Sequence, residues 1–157
     1  MKILAYSVGK PDEKLVKEGV NLYSNRINHY FPFSWELIPP PRQAGKMSAE
    51  ELKQEEGRLV LARLQSADHL ILLDERGKQL SSPGLAQLIN QKANQSVSRL
   101  VFLIGGAYGV SEEIQSKANF TWSLSQLVFP HMLVRLILAE QLYRACTILR
   151  NEKYHHS

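Results

Sequence analysis

The sequence predicts an α/β fold with a mostly parallel sheet and helices on both faces. Three observations carry that expectation. Strand-like and helix-like segments alternate along the chain, the order that builds parallel sheets through helical crossovers. Two of the strand segments, "HLILLDE" and "RLVFLIG", are apolar runs too short for helices, as strands buried on both faces are. Helix-opening signals at Ser48, Pro83 and Ser111 stand where the alternation needs helices to begin. At 157 residues the whole chain, 1–157, fits a single domain, and a domain of this size buries roughly two-thirds of its unfolded surface.

The elements follow in order. "KILAYSV" (2–8) is rich in β-formers and stops at Gly9-Lys10-Pro11, which predicts a strand and a turn. From Asp12, Leu15, Val16, Val20, Leu22, Tyr23 and Ile27 recur at helical spacing, and that helix ends before Pro32. "FSWELI" (33–38), bounded by prolines, reads as the second strand. "PPPRQAGKM" (39–47) is a loop bearing Arg42 and Lys46. Ser48 with Glu51 forms a capping box, opening a helix that runs to about Gln65. The strand at 69–75 follows. "SSPG" then places Pro83 in the first turn of a helix, where its missing N–H costs nothing. After the strand at 99–105, Ser111 with Glu112 and Glu113 caps a short helix, and "FTWSLS" (120–125) reads as the fifth strand.

In sheets of this kind ligands bind where loops leave the C-terminal strand ends. The loops after Leu73, Ile104 and Leu124 qualify, and "VFLIGGAYGV" (101–110) puts three glycines on the second. A dinucleotide site would place its glycines after the first strand, and a P-loop would carry a lysine followed by serine or threonine; neither pattern is present. Two readings stay open: a tight turn, or bare backbone that a ligand approaches closely.

The net charge of +4 favours an anionic partner only mildly. Cys146 is the single cysteine, which excludes an internal disulfide and a multi-cysteine zinc site; no metal is expected. No apolar run reaches the ~18 residues of a membrane helix, and "MKILAYSVGKPDEKL" turns charged too early for a secretion signal. A cytoplasmic protein without membrane contact is the expectation. The final segment, 131–149, is apolar almost all round, with a narrow polar stripe through Glu140, Arg144, Thr147 and Asn151. A helix serving one core needs only about a 100° stripe. Either this helix also covers a second copy in a two-fold homodimer, or it is a central helix buried within one chain.

The strand end "LLDERGK", the loop "LIGGAYG", the segment "WSLSQLVFPHMLVR", the helix ending "AEQLYRA" and the tail "YHH" occur in an order that resembles the ribosomal RNA large-subunit methyltransferase H family of the SPOUT class. The likeness covers essentially the whole chain. It implies a deep C-terminal trefoil knot, an exception to unknotted topology, a homodimer, and S-adenosylmethionine held bent in the knot loops. Carried over, the cofactor residues are Leu73, Gly105, Gly106, Ser125, Gln126, Leu127, Val128, Phe129 and Pro130. The substrate implied is a pseudouridine in helix 69 of 23S ribosomal RNA, methylated at N3. The tail match makes Tyr154 and His155 candidate catalytic residues on the substrate side. His131 is a further candidate base, or a helix-start structural residue. Arg135, Arg144 and Arg150 are candidate RNA contacts, although Arg144 can instead pair with Glu140 one turn away. His156 stands where family tails commonly carry a basic residue. The competing functions are a knotted RNA- or ribosome-binding protein without methyl transfer, a SPOUT methyltransferase acting on transfer RNA, and a phosphate-handling α/β enzyme.

Overall fold

A computed structural model describes residues 1–156. The elements in order are β1 (Lys2–Val8), α1 (Lys14–Ile27), β2 (Phe33–Ile38), α2 (Ala49–Leu61), β3 (His69–Gln79), α3 (Ser82–Asn94), β4 (Arg99–Ile104), α4 (Glu112–Lys117), β5 (Phe120–Ser123) and α5 (His131–Leu149). The five strands form one sheet in the order β2-β1-β4-β3-β5, and every pairing is parallel. All strand C-termini therefore open on one edge, as the alternation requires.

The fold has three layers. On one face, Leu85, Ala86 and Ile89 of α3 and Leu138, Leu142, Ala145 and Cys146 of α5 pack with Ile3, Ile71, Leu100 and Phe102 of the sheet. On the other, Val60 of α2 and Ile114 of α4 meet Leu4, Tyr6, Leu70, Leu72, Val101 and Leu103. β4 is buried on both faces from Leu100 to Ile104, so its sequence carries no alternation.

The apolar surplus of α5 is used inside the chain. Its sheet-facing side joins the larger core, while Met132, Leu136 and Ala139 pack against Val16, Val20 and Tyr23 of α1. Its own sheet and α1 therefore cover two sides of the helix within one chain, and Leu133 is its one exposed large apolar residue.

Several boundaries differ from expectation for local reasons. The Ser48 side chain accepts from the Glu51 N–H at 3.2 Å and caps α2. That helix stops at Leu61 because the chain turns at 65–68, where the Gln65 N–H donates to Asp68. β3 continues past 75 through a bulge: it pairs with β5 at Ile71–Leu73 and again at Lys78–Gln79. β5 ends at Ser123 because the Ser123 hydroxyl donates to the Ser125 carbonyl and draws the chain out of the sheet.

Candidate active site

The loops after β3, β4 and β5 converge on one cavity of about 640 Å³ at the C-terminal edge of the sheet, within the usual ~300–1,000 Å³ of small-molecule sites. Leu72, Leu73, Ile104, Val128, Phe129 and Val134 give it apolar wall, and Asp74, Glu75, Arg76 and Lys53 give it charge of both signs. Asp74 and Arg76 pair at 2.9 Å. The Arg76 hydrogen bonds hold the Asp74 carboxyl below its ordinary pKa, outweighing the opposing effect of burial.

The glycine loop is a turn as well as a wall. The Gly109 N–H donates to the Gly106 carbonyl at 3.0 Å, and Gly109, at φ +85°, occupies the left-handed region that disfavours a side chain. Gly106 has ordinary φ, yet a Cβ there would fall 2.3–2.8 Å from the Glu56 carboxyl group. The bare Cα thus faces α2 behind the loop. Glu56 is 6% exposed, its Oε1 has no hydrogen-bond partner, and burial raises its pKa. At the far side of the cavity, the Ser125 hydroxyl accepts from the Leu127 N–H at 3.0 Å. That turn presents Leu127 and Val128 outward at 70% and 80% exposure. Tyr108, at the tip of the glycine turn, is also largely exposed.

His131 is the only histidine on the cavity wall. Desolvation and then the Arg135 guanidinium lower its pKa, opposed by a hydrogen bond to the Gly106 backbone. Its neutral form therefore predominates at pH 7.

A second cluster surrounds the tail. Glu140 Oε1 accepts from Arg144 Nε at 2.9 Å, from Arg144 Nη2 at 2.6 Å and from the Tyr154 hydroxyl at 3.1 Å. The Arg144 guanidinium lies 4.8 Å from the centre of the Tyr154 ring, and Tyr154 meets Tyr143 edge-on at 4.7 Å. Burial, Tyr23 and Glu140 all push the Tyr154 phenol up, so it is a donor rather than a base near neutrality. Arg144 Nη1 stands 3.3 Å from His155 Nδ1. Arginine only donates, so Nδ1 accepts in this contact and the ring hydrogen is on Nε2.

Of the expected cofactor residues, Leu73, Gly105, Gly106, Ser125, Leu127, Val128 and Phe129 line the cavity. Gln126 and Pro130 are exposed and lie outside its lining; Pro130 is the N-cap of α5. The tail is not brought to this cavity within one chain, since Glu140 lies nine residues along α5 from His131, about 14 Å of rise. Among the candidate RNA contacts, Arg150 is exposed at the end of α5 and Arg144 is held by Glu140. Arg135 is a correction. It is 1% exposed and donates to Asp12 at 2.7 Å and to the Lys10 carbonyl at 2.8 Å, so its guanidinium ties α5 to the loop after β1 instead of reaching the surface.

Lys53, Asp74, Glu75, Arg76 and Trp122 of the cavity wall, and Glu56 behind it, are not among the site residues the sequence suggests. Glu56 left a signal: it precedes Val60 by one helical turn, which puts a carboxylate on the buried face of α2. Among the described residues, no three His, Cys, Asp or Glu side chains converge as a metal would require, and no helix is long and apolar enough to cross a membrane.

A family model described as "Predicted SPOUT methyltransferase" matches residues 1–155. A protein of Cytophaga hutchinsonii named "Ribosomal RNA large subunit methyltransferase H" is 46% identical over 156 residues, covering 99% of this chain and 100% of its own. Proteins of the same name from Christiangramia forsetii and Trichlorobacter lovleyi are 43% and 41% identical, each across 99% of this chain and 99% and 100% of their own. Among solved structures, a probable methyltransferase from Bordetella pertussis Tohama I superposes with a TM-score of 0.56 at 11% identity, over 91% of this chain and 93% of that one. That likeness concerns the fold alone.

Proposed function

We propose, for a chain that belongs to the SPOUT methyltransferase family and within it to the ribosomal RNA large subunit methyltransferase H proteins, that it methylates N3 of a pseudouridine in helix 69 of 23S ribosomal RNA on the assembled ribosome. The observation that carries the reading is the cavity where the loops after β3, β4 and β5 meet. Its residues fit S-adenosylmethionine. The volume suffices, the apolar wall suits an adenine, and the Glu75 carboxylate supplies negative charge suited to a sulfonium, Asp74 being paired with Arg76. The Gly105–Gly109 turn and the Ser125–Phe129 loop would hold the cofactor between them. When bound, S-adenosylmethionine supplies an electrophilic methyl group.

The chain's own residues have three tasks. The two loops orient the donor and exclude water, which turns a bimolecular encounter into a positioned one. His131, neutral on the cavity wall, is able to accept the imide proton that the nucleophile must lose. His155, with its hydrogen on Nε2, offers a donor suited to stabilising negative charge on the uracil carbonyls, and Tyr154, whose hydroxyl is committed to Glu140, holds the tail in place beside Arg144. Because these groups lie far along α5 from their own cavity, the reading requires the two-fold homodimer, with the tail of one protomer serving the cavity of its partner. Leu15 and Leu22 of α1, exposed at 75% and 46%, and Leu133 support such an interface. The knot of the family belongs to the same proposal.

Mass spectrometry of 23S ribosomal RNA from cells with and without the gene tests the reading. N3-methylpseudouridine should vanish from helix 69 in the deletion and return with the intact gene. Its persistence in the deletion would overturn the proposal, and loss of a transfer-RNA methyl group instead would move the activity to that substrate.

A further inference from the structure

A smaller cavity of about 310 Å³ adjoins the first and shares Trp122, Leu124, Ser125 and Phe129 with it. Its outer wall includes Ser82, the first residue of α3, and Gln141 of α5. The Ser82 hydroxyl donates to Gln141 Oε1 at 2.7 Å, and Gln141 Nε2 donates to Glu140 Oε2 at 2.7 Å. Glu140 then spends its other oxygen on Arg144 and Tyr154, and Arg144 reaches His155. A continuous hydrogen-bond chain thus runs from the start of α3 to the tail, and among the described residues Gln141 is its link between α3 and Glu140.

We infer that Gln141 is a positioning residue, which fixes the Glu140 carboxylate and through it the orientation of Tyr154 and His155. The inference rests on the proposed role of the tail. The amide has one productive orientation: flipped, its oxygen would face the Glu140 carboxylate, acceptor against acceptor. With that amide in place, Glu140 accepts four hydrogen bonds and has no freedom to rotate. Without it, one carboxylate oxygen is free. The carboxylate can then turn, and Arg144, Tyr154 and His155 lose their common reference. The ordering of Ser82 at the start of α3 is passed to the tail by the same route.

The test uses the full-length protein, S-adenosylmethionine, and ribosomes from cells lacking the gene. Gln141→Leu keeps the size of the side chain and removes both hydrogen bonds. The expected result is a fall of about tenfold in kcat, as the tail loses its fixed orientation in the transition state, with KM for ribosomes, affinity for S-adenosylmethionine and thermal midpoint unchanged. Ser82→Ala should also lower kcat, and the double variant should be no slower than Gln141→Leu alone, because both break one chain. A scaffold role would shift the thermal midpoint and cofactor affinity together with kcat, and that result overturns the inference. A chain truncated after Lys153 separates the two readings. If the truncated protein is inactive while Gln141→Leu turns over like wild type, Gln141 is not a positioning residue and the tail keeps its role. If the truncated protein is fully active, the tail reading itself fails and takes this inference with it.

Discussion

Gly106→Ala is a small change with a calculable consequence. The new Cβ would lie 2.3 and 2.5 Å from the two carboxylate oxygens of Glu56, against the ~3.4 Å or more of an ordinary contact, so the carboxylate must withdraw by roughly 1 Å into a packed interior. Overpacking of this kind costs about 1–3 kcal/mol. Backbone strain contributes nothing, because φ at Gly106 is not left-handed. For a domain of this length that penalty lowers the thermal midpoint by about 2–4 °C per kcal/mol. Because the loop that bears Gly106 also lines the cavity, affinity for S-adenosylmethionine should fall as well. Glu56→Ala isolates the cause: with the carboxylate gone, adding Ala at 106 should cost at least about 1 kcal/mol less than in wild type, a coupling that direct contact permits. Denaturant unfolding followed by tryptophan fluorescence, paired with calorimetric titration of the cofactor, measures both effects. A penalty of the same size in both backgrounds would refute the steric explanation, and full stability of Gly106→Ala would refute the geometry of the loop.

Three further outcomes follow from the structure. Gly77→Ala places a Cβ 2.5–2.7 Å from the backbone of Thr121 and Trp122, which cannot swing aside as a side chain can, so it should cost about 3 kcal/mol and unzip the β3–β5 pairing; Gly45→Ala, with open space around its Cβ, is the neutral control in the same unfolding series. Arg135→Met leaves Asp12 without its partner and should lower stability by about 3 kcal/mol while leaving the salt dependence of ribosome binding unchanged; an altered salt slope at normal stability would restore an RNA role to Arg135. The third concerns His131, whose imidazole has a lowered pKa in the folded chain. The unfolded chain therefore takes up the proton first as pH falls below about 6.5. The stability that His131 contributes is fully present above that value and is lost as pH falls towards the lower folded pKa. The stability difference between wild type and His131→Asn should accordingly shrink between pH 7.5 and 5.5 in denaturant titrations, and a difference independent of pH would exclude the shift.

The layer order was legible because each strand and helix announces itself locally. The apolar runs at 69–75 and 99–105, Pro83 in the first turn of α3, and Ser111 before α4 all form the elements their chemistry suggests. What needed coordinates were pairings between distant segments. The polar "RGKQ" end of β3 shows no strand pattern, and extends only because Gly77 lets the backbone of β5 approach. The glycines after β4 were read as a turn or as room for a ligand; the turn is present, and at Gly106 the space is taken by a carboxylate 50 residues earlier in the chain. α5 was legible as an oversupplied apolar helix, central burial being one of its two readings, but the elements that cover it, its own sheet and α1, were not. Arg135 misled because a basic residue on a helix normally reaches water, whereas here Asp12, the Lys10 carbonyl of the loop after β1 and the Val8 carbonyl at the end of β1 draw it inward.

The most direct measurement is a crystal structure of the protein grown with S-adenosylmethionine. Density for the adenosine between the Gly105–Gly109 turn and the Ser125–Phe129 loop, with the tail of a two-fold partner at the mouth of the same cavity, is the expected result. Cofactor bound at any other surface, or a saturated complex in which both tails lie far from both cavities, would contradict it.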